Sequence, residues 1–193
     1  IIMTIVFATN NPNKIKEVQA QIPDRIKLIS LEEIGCLVDI PETQDTIEGN
    51  AIQKATYIKD HFGLDCFADD TGLEVHALDG APGVFSARYA GPQRNADDNM
   101  NLLISKLASK DNREAQFKTV IAMYYNKQLI TFEGICKGEI TKSKRGFDGF
   151  GYDPIFQPEN YETTFAELSM ADKNRIGHRG KAVAKLVTYL NTH

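Results

Sequence analysis

The first thirty residues do the most to narrow what this chain can fold into. The run "MTIVFA" at 3–8 is short, apolar and β-rich, and it stops at polar turn-forming residues, so it is predicted to be a buried strand. A helix start follows at once, with Asn11 as N-cap, Pro12 at the first helical position, and Ile15, Val18 and Ile22 at helical spacing. "RIKLISL" is a second predicted strand. Further on, Ile47, Ala51, Ala55, Ile58 and Phe62 recur every three or four residues and predict an amphipathic helix over 47–62. Residues 97–108 read as another helix, and "AQFKTVIAMYY" with "QLITFEGICKGEI" as a long hairpin around Asn126-Lys127. "TFAE" at 164–167 fits a capping box, and the closing helix carries Val183, Leu186, Val187 and Leu190 on one face. Strands that alternate with helices early and pair as a hairpin later imply an α/β fold with a mixed sheet, not a fully parallel one.

No linker or charge block divides the 193 residues, so a single domain is expected. A net charge of -4 spread along the chain argues against a sequence-independent grip on nucleic acid, which needs a basic face. No apolar stretch approaches the length of a membrane span and no leader pattern is visible, so the cytoplasm is the expected compartment, with Met3 as the expected native start. Cys36, Cys66 and Cys136 are odd in number and far apart, which predicts buried, reduced thiols.

Lys14 breaks a local rule. A helix N-terminus carries partial positive charge, so a lysine in the first turn is mildly unwelcome. In "TNNPNK", backbone N–H groups, hydroxyl and amide side chains and a lysine are the parts of a phosphate cradle, although a plain Asn-capped helix with a solvated lysine fits equally well. "DCFADDTGLEVHAL" reads as strand, tight turn, strand. Only one of Asp69 and Asp70 is expected to look into any cleft, because successive strand residues point to opposite faces. A carboxylate there suits Mg²⁺, and Glu42 in the polar loop "PETQDTIEG" is a second candidate; surface acids capping turns are the bland alternative. On the 47–62 helix, Asn50 and Lys54 lie one turn apart beside the apolar stripe, in line with Tyr57 and His61. The glycines of "GFDGFGYDPIF" allow close backbone approach to a ligand, and Phe147, Phe150 or Tyr152 could stack on a base or simply be buried. "GHRGK" places His178, Arg179 and Lys181 at the last helix start, with Lys173 shortly before; such donors suit phosphate or an oxo group.

Together "TNNPNK", "ADDTGLEV", "GVFSARYAG", "GFGYDPIF" and "HRGKA" resemble the inosine triphosphate pyrophosphatase family, in order and spacing, from about residue 4 to about 190. That resemblance implies an elongated α/β structure whose mixed central sheet separates two lobes, a substrate cleft between them, and a homodimer. It implies Mg²⁺-dependent hydrolysis of dITP, ITP and XTP to the monophosphate and pyrophosphate. It assigns the triphosphate to Thr9, Asn10, Asn11, Pro12, Asn13 and Lys14. Asp70 becomes general base and Mg²⁺ ligand, Glu42 a further Mg²⁺ ligand, and Thr71 a substrate contact. Phe150, Gly151, Tyr152 and Asp153 would enclose base and sugar, with Lys173, His178 and Arg179 completing the nucleoside site. Gly177 departs from the serine that many members carry before the His-Arg pair, and Ser86 and Arg88 receive no role. Two other readings of the residues are a phosphatase for another phosphorylated metabolite and a nucleotide-binding module without catalysis.

Overall fold

A computed structural model of the chain describes residues 2–193. Seven strands form one mixed sheet in the order β2 (Ile26–Ile29), β1 (Met3–Phe7), β3 (Cys66–Val75), β5 (Glu114–Tyr125), β6 (Gln128–Ile140) and β7 (Phe156–Pro158), with β4 (Pro82–Gly83) paired to β3 off that path. The opening follows the sequence reading. Strand β1 (Met3–Phe7), helix α1 (Pro12–Gln19) and strand β2 (Ile26–Ile29) form a crossover, with β1 and β2 parallel. Helix α2 (Ile47–Phe62) then leads to β3 (Cys66–Val75), again parallel to β1. Strand β4 (Pro82–Gly83) runs antiparallel to β3, and helix α3 spans Ala96–Leu107. The long hairpin is β5 (Glu114–Tyr125) and β6 (Gln128–Ile140); Asn126 and Lys127, both with positive φ, supply its two-residue turn. Strand β7 (Phe156–Pro158) pairs antiparallel with β6, and α4 (Met170–Ile176) and α5 (His178–Thr192) close the chain.

One expectation fails. "DCFADDTGLEV" contains no turn, because β3 runs unbroken through Asp69, Asp70, Thr71 and Gly72. Asp, Thr and Gly favour turns when they must satisfy themselves locally; here Asp69 is satisfied by side chains from elsewhere in the chain, so an extended backbone carries no polar penalty. The capping box of Thr164 and Glu167 is present, but it closes a single 3₁₀ turn at Phe165–Glu167. All three cysteines are buried free thiols.

The chain packs as two compact units. The first holds the residues up to Asp70, Thr119–Gly134 and Arg179–His193; the second holds Thr71–Lys118 and Ile135–His178. The first unit's core joins Phe7, Val18, Phe67, Ile121, Val183 and Leu186, where Phe7 and Phe67 stack at 4.5 Å between ring centroids. In the second, Leu73, Leu103, Phe117, Phe156 and Phe165 centre a core in which three of the phenylalanine rings touch. No helix among the described residues is long and apolar enough to cross a membrane.

Candidate active site

In the first unit, four elements bring charge to one place. Asn11 caps α1 by accepting hydrogen bonds from the N–H groups of Asn13 (3.0 Å) and Lys14 (3.3 Å), while Thr9 Oγ1 accepts from Asn11 N at 3.1 Å. Three of the backbone donors in "TNNPNK" therefore already have side-chain acceptors, and the segment offers chiefly its side chains. The first of these is Lys14, whose ammonium lies 3.1 Å from Asp69 Oδ1. Arg179, opening the first unit's share of α5, donates from Nε to Asp69 Oδ2 at 3.1 Å and from Nη1 to Glu17 Oε2 at 2.5 Å. Lys54, on α2, donates to the Asp69 carbonyl oxygen at 2.6 Å and sits 3.5 Å from Glu42 Oε1. Its neighbour Asn50, one turn earlier, is buried and accepts from Gln44 N at 2.9 Å, which ties down the loop that carries Glu42.

Electrostatics separates the two strand acids. Both are desolvated, but the cationic groups of Lys14, Arg179 and Lys54 hold the Asp69 carboxyl well below the usual carboxylate range. For Asp70 burial wins: its carboxyl is pushed up, with Lys54 and Lys14 opposing and Glu42 and Asp69 reinforcing the shift. Its Oδ2 is buried with no hydrogen-bond partner among the described residues. Burial likewise lowers the Lys14 ammonium, against the pull of Asp69. A divalent cation fits this arrangement, since an orphaned carboxylate oxygen is a hard ligand awaiting a charge. No group of three or more His, Cys, Asp or Glu side chains among the described residues is placed to hold a metal. Asp70, with Glu42 beside the same Lys54 ammonium, is the carboxylate that fits such a cation.

In the second unit, Lys173 and Asp153 form a buried ion pair at 2.6 Å. The Lys173 ammonium also lies over the rings of Phe150 (4.7 Å) and Phe165 (5.7 Å). Asp153 Oδ2 accepts from Phe150 N at 2.9 Å, so one carboxylate fixes both the lysine and the ring beneath it. His178 is buried and stacks on Phe117 at 4.4 Å. Tyr152 is also buried, with its hydroxyl donating to the Ser86 carbonyl oxygen at 2.7 Å. That bond gives "GVFSARYAG" a role that the sequence did not supply. Ser86 Oγ accepts from Leu73 N at 2.9 Å and donates to Gly83 O at 2.6 Å, bracketing the glycine-rich loop against β3. Arg88 lies over the exposed Phe85 ring, 5.2 Å from its centroid. Thr71 is half-buried on β3, and Gly151 has positive φ with open space around it. Gly177 closes α4 by donating to Lys173 O at 2.7 Å, and a Cβ there would come within 2.5 Å of that oxygen.

Gly149, with φ of +75°, is equally constrained, because a Cβ would run into Asp153 Oδ2. Gly149→Ala is expected to cost about 1–3 kcal/mol from backbone strain alone, and to displace Asp153 from Phe150 and Lys173. Chemical denaturation reads the first effect and nucleoside affinity the second.

Of the expected residues, Lys14, Asp70, Glu42 and Arg179 gather in the first unit, and Phe150, Asp153, Lys173 and His178 in the second. Asp69, Glu17 and Lys54 complete the first cluster; of these only Lys54, one turn from Asn50, carried a spacing signal. A cavity of about 970 Å³ in the second unit, lined by Glu74, Gln116, Lys137 and Glu159 among others, includes none of the expected residues.

Solved structures place the fold. A HAM1 protein of Coxiella burnetii superposes with a TM-score of 0.92 at 39% identity over the full length of both chains. The Ham1 protein of Staphylococcus aureus gives 0.89 at 39% identity over 98% of each. The sequence matches the Ham1 family over residues 5–189, and the chain belongs to that family. Among its relatives, the dITP/XTP pyrophosphatase of Flavobacterium johnsoniae is 61% identical over 97% of this chain and 98% of its own. That of Porphyromonas gingivalis is 50% identical over 96% of both.

Proposed function

We propose that this chain is a Mg²⁺-dependent pyrophosphatase for dITP, ITP and XTP, releasing the monophosphate and pyrophosphate. The relatives named dITP/XTP pyrophosphatases support the substrate class. The observation that carries the chemistry is the buried, unpartnered Asp70 Oδ2 in a cluster that also holds two ammonium groups. Asp70 and Glu42 would hold the cation, which when bound supplies charge neutralisation and alignment of phosphate oxygens. The chain's own residues do the rest. Lys14, with the Thr9, Asn10 and Asn13 side chains, binds the triphosphate and spreads the charge developing on the departing pyrophosphate. Lys54, fixed by the Asp69 carbonyl, holds the Glu42 carboxylate in place. Asp70 orients the attacking water and accepts its proton.

Phe150, braced by Lys173, offers a ring for stacking, and Lys173 and His178 supply donors toward a C6 oxo group. Adenine presents an amine there, so donor would meet donor and leave a buried group unpaired, at about 1–3 kcal/mol per group. Arg179, with two nitrogens held by carboxylates of the first unit, is assigned to the phosphate end. A homodimer in the cytoplasm completes the proposal, and light scattering should return twice the 21.5 kDa of one chain.

A steady-state panel tests the reading. With Mg²⁺, kcat/KM for ITP, dITP and XTP should exceed that for ATP by about 10–100-fold. Equal rates on all purines would contradict it, and orthophosphate as the first product would favour a phosphatase.

A further inference from the structure

Glu17, Arg179, Asp69 and Lys14 form a row of alternating charge. Arg179 bridges Glu17 at 2.5 Å and Asp69 at 3.1 Å, and Asp69 meets Lys14 at 3.1 Å. Three of its members are deeply buried, with the side chains of Glu17, Arg179 and Asp69 7%, 3% and 1% exposed, and that of Lys14 is the most open at 15%. Its outermost member is therefore a cation. Asp69 also fixes Lys54 through its carbonyl oxygen, so a single strand residue sets three cationic side chains from three helices.

A lysine has many rotamers, and freezing them on substrate binding costs affinity. Lys14 is already held by one of its three donors, which leaves two directions for phosphate oxygens. We propose that Asp69 is the positioning residue of the phosphate end, aiming the Lys14 ammonium at the triphosphate through an ion pair that Arg179 in turn anchors to Glu17. This rests on the pyrophosphatase reading and assigns Asp69 and Arg179 to phosphate recognition, with no contact of their own to the reacting atoms. A merely structural acid would stabilise the fold without favouring one end of the substrate over the other.

The test is Asp69→Glu, which keeps the charge and moves the carboxylate by one methylene. Binding of inorganic triphosphate and of IMP is measured with Mg²⁺ in the wild type, in Asp69→Glu, in Lys14→Ala and in the double variant. The expected result is at least a tenfold loss of triphosphate affinity in each single variant and IMP affinity within twofold of wild type. The double variant should be no more than threefold weaker than Lys14→Ala. Should the glutamate fail to pack, as judged by circular dichroism, Asp69→Asn replaces it and must meet the same criteria. Additive losses in the double variant, or equal losses for triphosphate and IMP, overturn the positioning role alone. A Lys14→Ala protein that binds triphosphate like wild type overturns the phosphate-end reading and the positioning role with it.

Discussion

Asp70→Asn is expected to lower kcat by about 10²–10⁴-fold while leaving the protein at least as stable as the wild type. The two effects share one cause. The Asp70 carboxylate is buried with Oδ2 unpartnered among the described residues, and burial raises its proton affinity. With its folded-state pKa above the unfolded value of about 3.9, this acid favours the fold only while protonated, and its contribution falls as pH rises through the folded-state pKa. Asparagine keeps the shape and removes the charge. In metal-free buffer at neutral pH the variant should therefore melt at a Tm no lower than that of the wild type. Asp69 has the opposite sign. Its depressed pKa contributes stability above the ordinary carboxylate range that is lost as pH falls. Calorimetry from about pH 2 to about pH 8 distinguishes the two acids. A destabilised but active Asp70→Asn protein would return Asp70 to a structural role.

The second large effect falls on the other unit. Asp153→Ala removes the carboxylate that meets the buried Lys173 ammonium at 2.6 Å and accepts from Phe150 N. Removing one member of a buried ion pair costs about 3–5 kcal/mol, a large share of the 5–15 kcal/mol that holds most domains together. The rings of Phe150 and Phe165 lie near the ammonium, but cation–π attraction of about 0.5–2 kcal/mol does not offset the loss. Urea denaturation should show the midpoint falling accordingly, and a midpoint within experimental scatter of wild type would refute the pair's role.

What the sequence made legible was local. The strand before Asn11, the cap itself, the apolar stripe of α2 and the hairpin turn at Asn126-Lys127 are each written within a few residues, and all four stand in the structure. The misread strand β3 has the opposite character. Asp69 looks like a turn former until Lys14, 55 residues away, and Arg179, 110 residues away, are brought to it. Lys14 posed the same problem from the other side: an ill-placed cation in a helix start has a carboxylate partner that no spacing rule announces. Tyr152 and Asp153 were legible as members of a glycine-rich loop, yet their bonds to Ser86, Lys173 and Phe150 depend on tertiary packing.

In the proposed reaction water attacks the α-phosphorus and pyrophosphate leaves intact. It is tested by running the ITP reaction with Mg²⁺ in ¹⁸O-labelled water and examining the products by phosphorus NMR and mass spectrometry. The account predicts one ¹⁸O in IMP and unlabelled pyrophosphate in equal amount; label in orthophosphate or pyrophosphate, with unlabelled nucleotide, would contradict it.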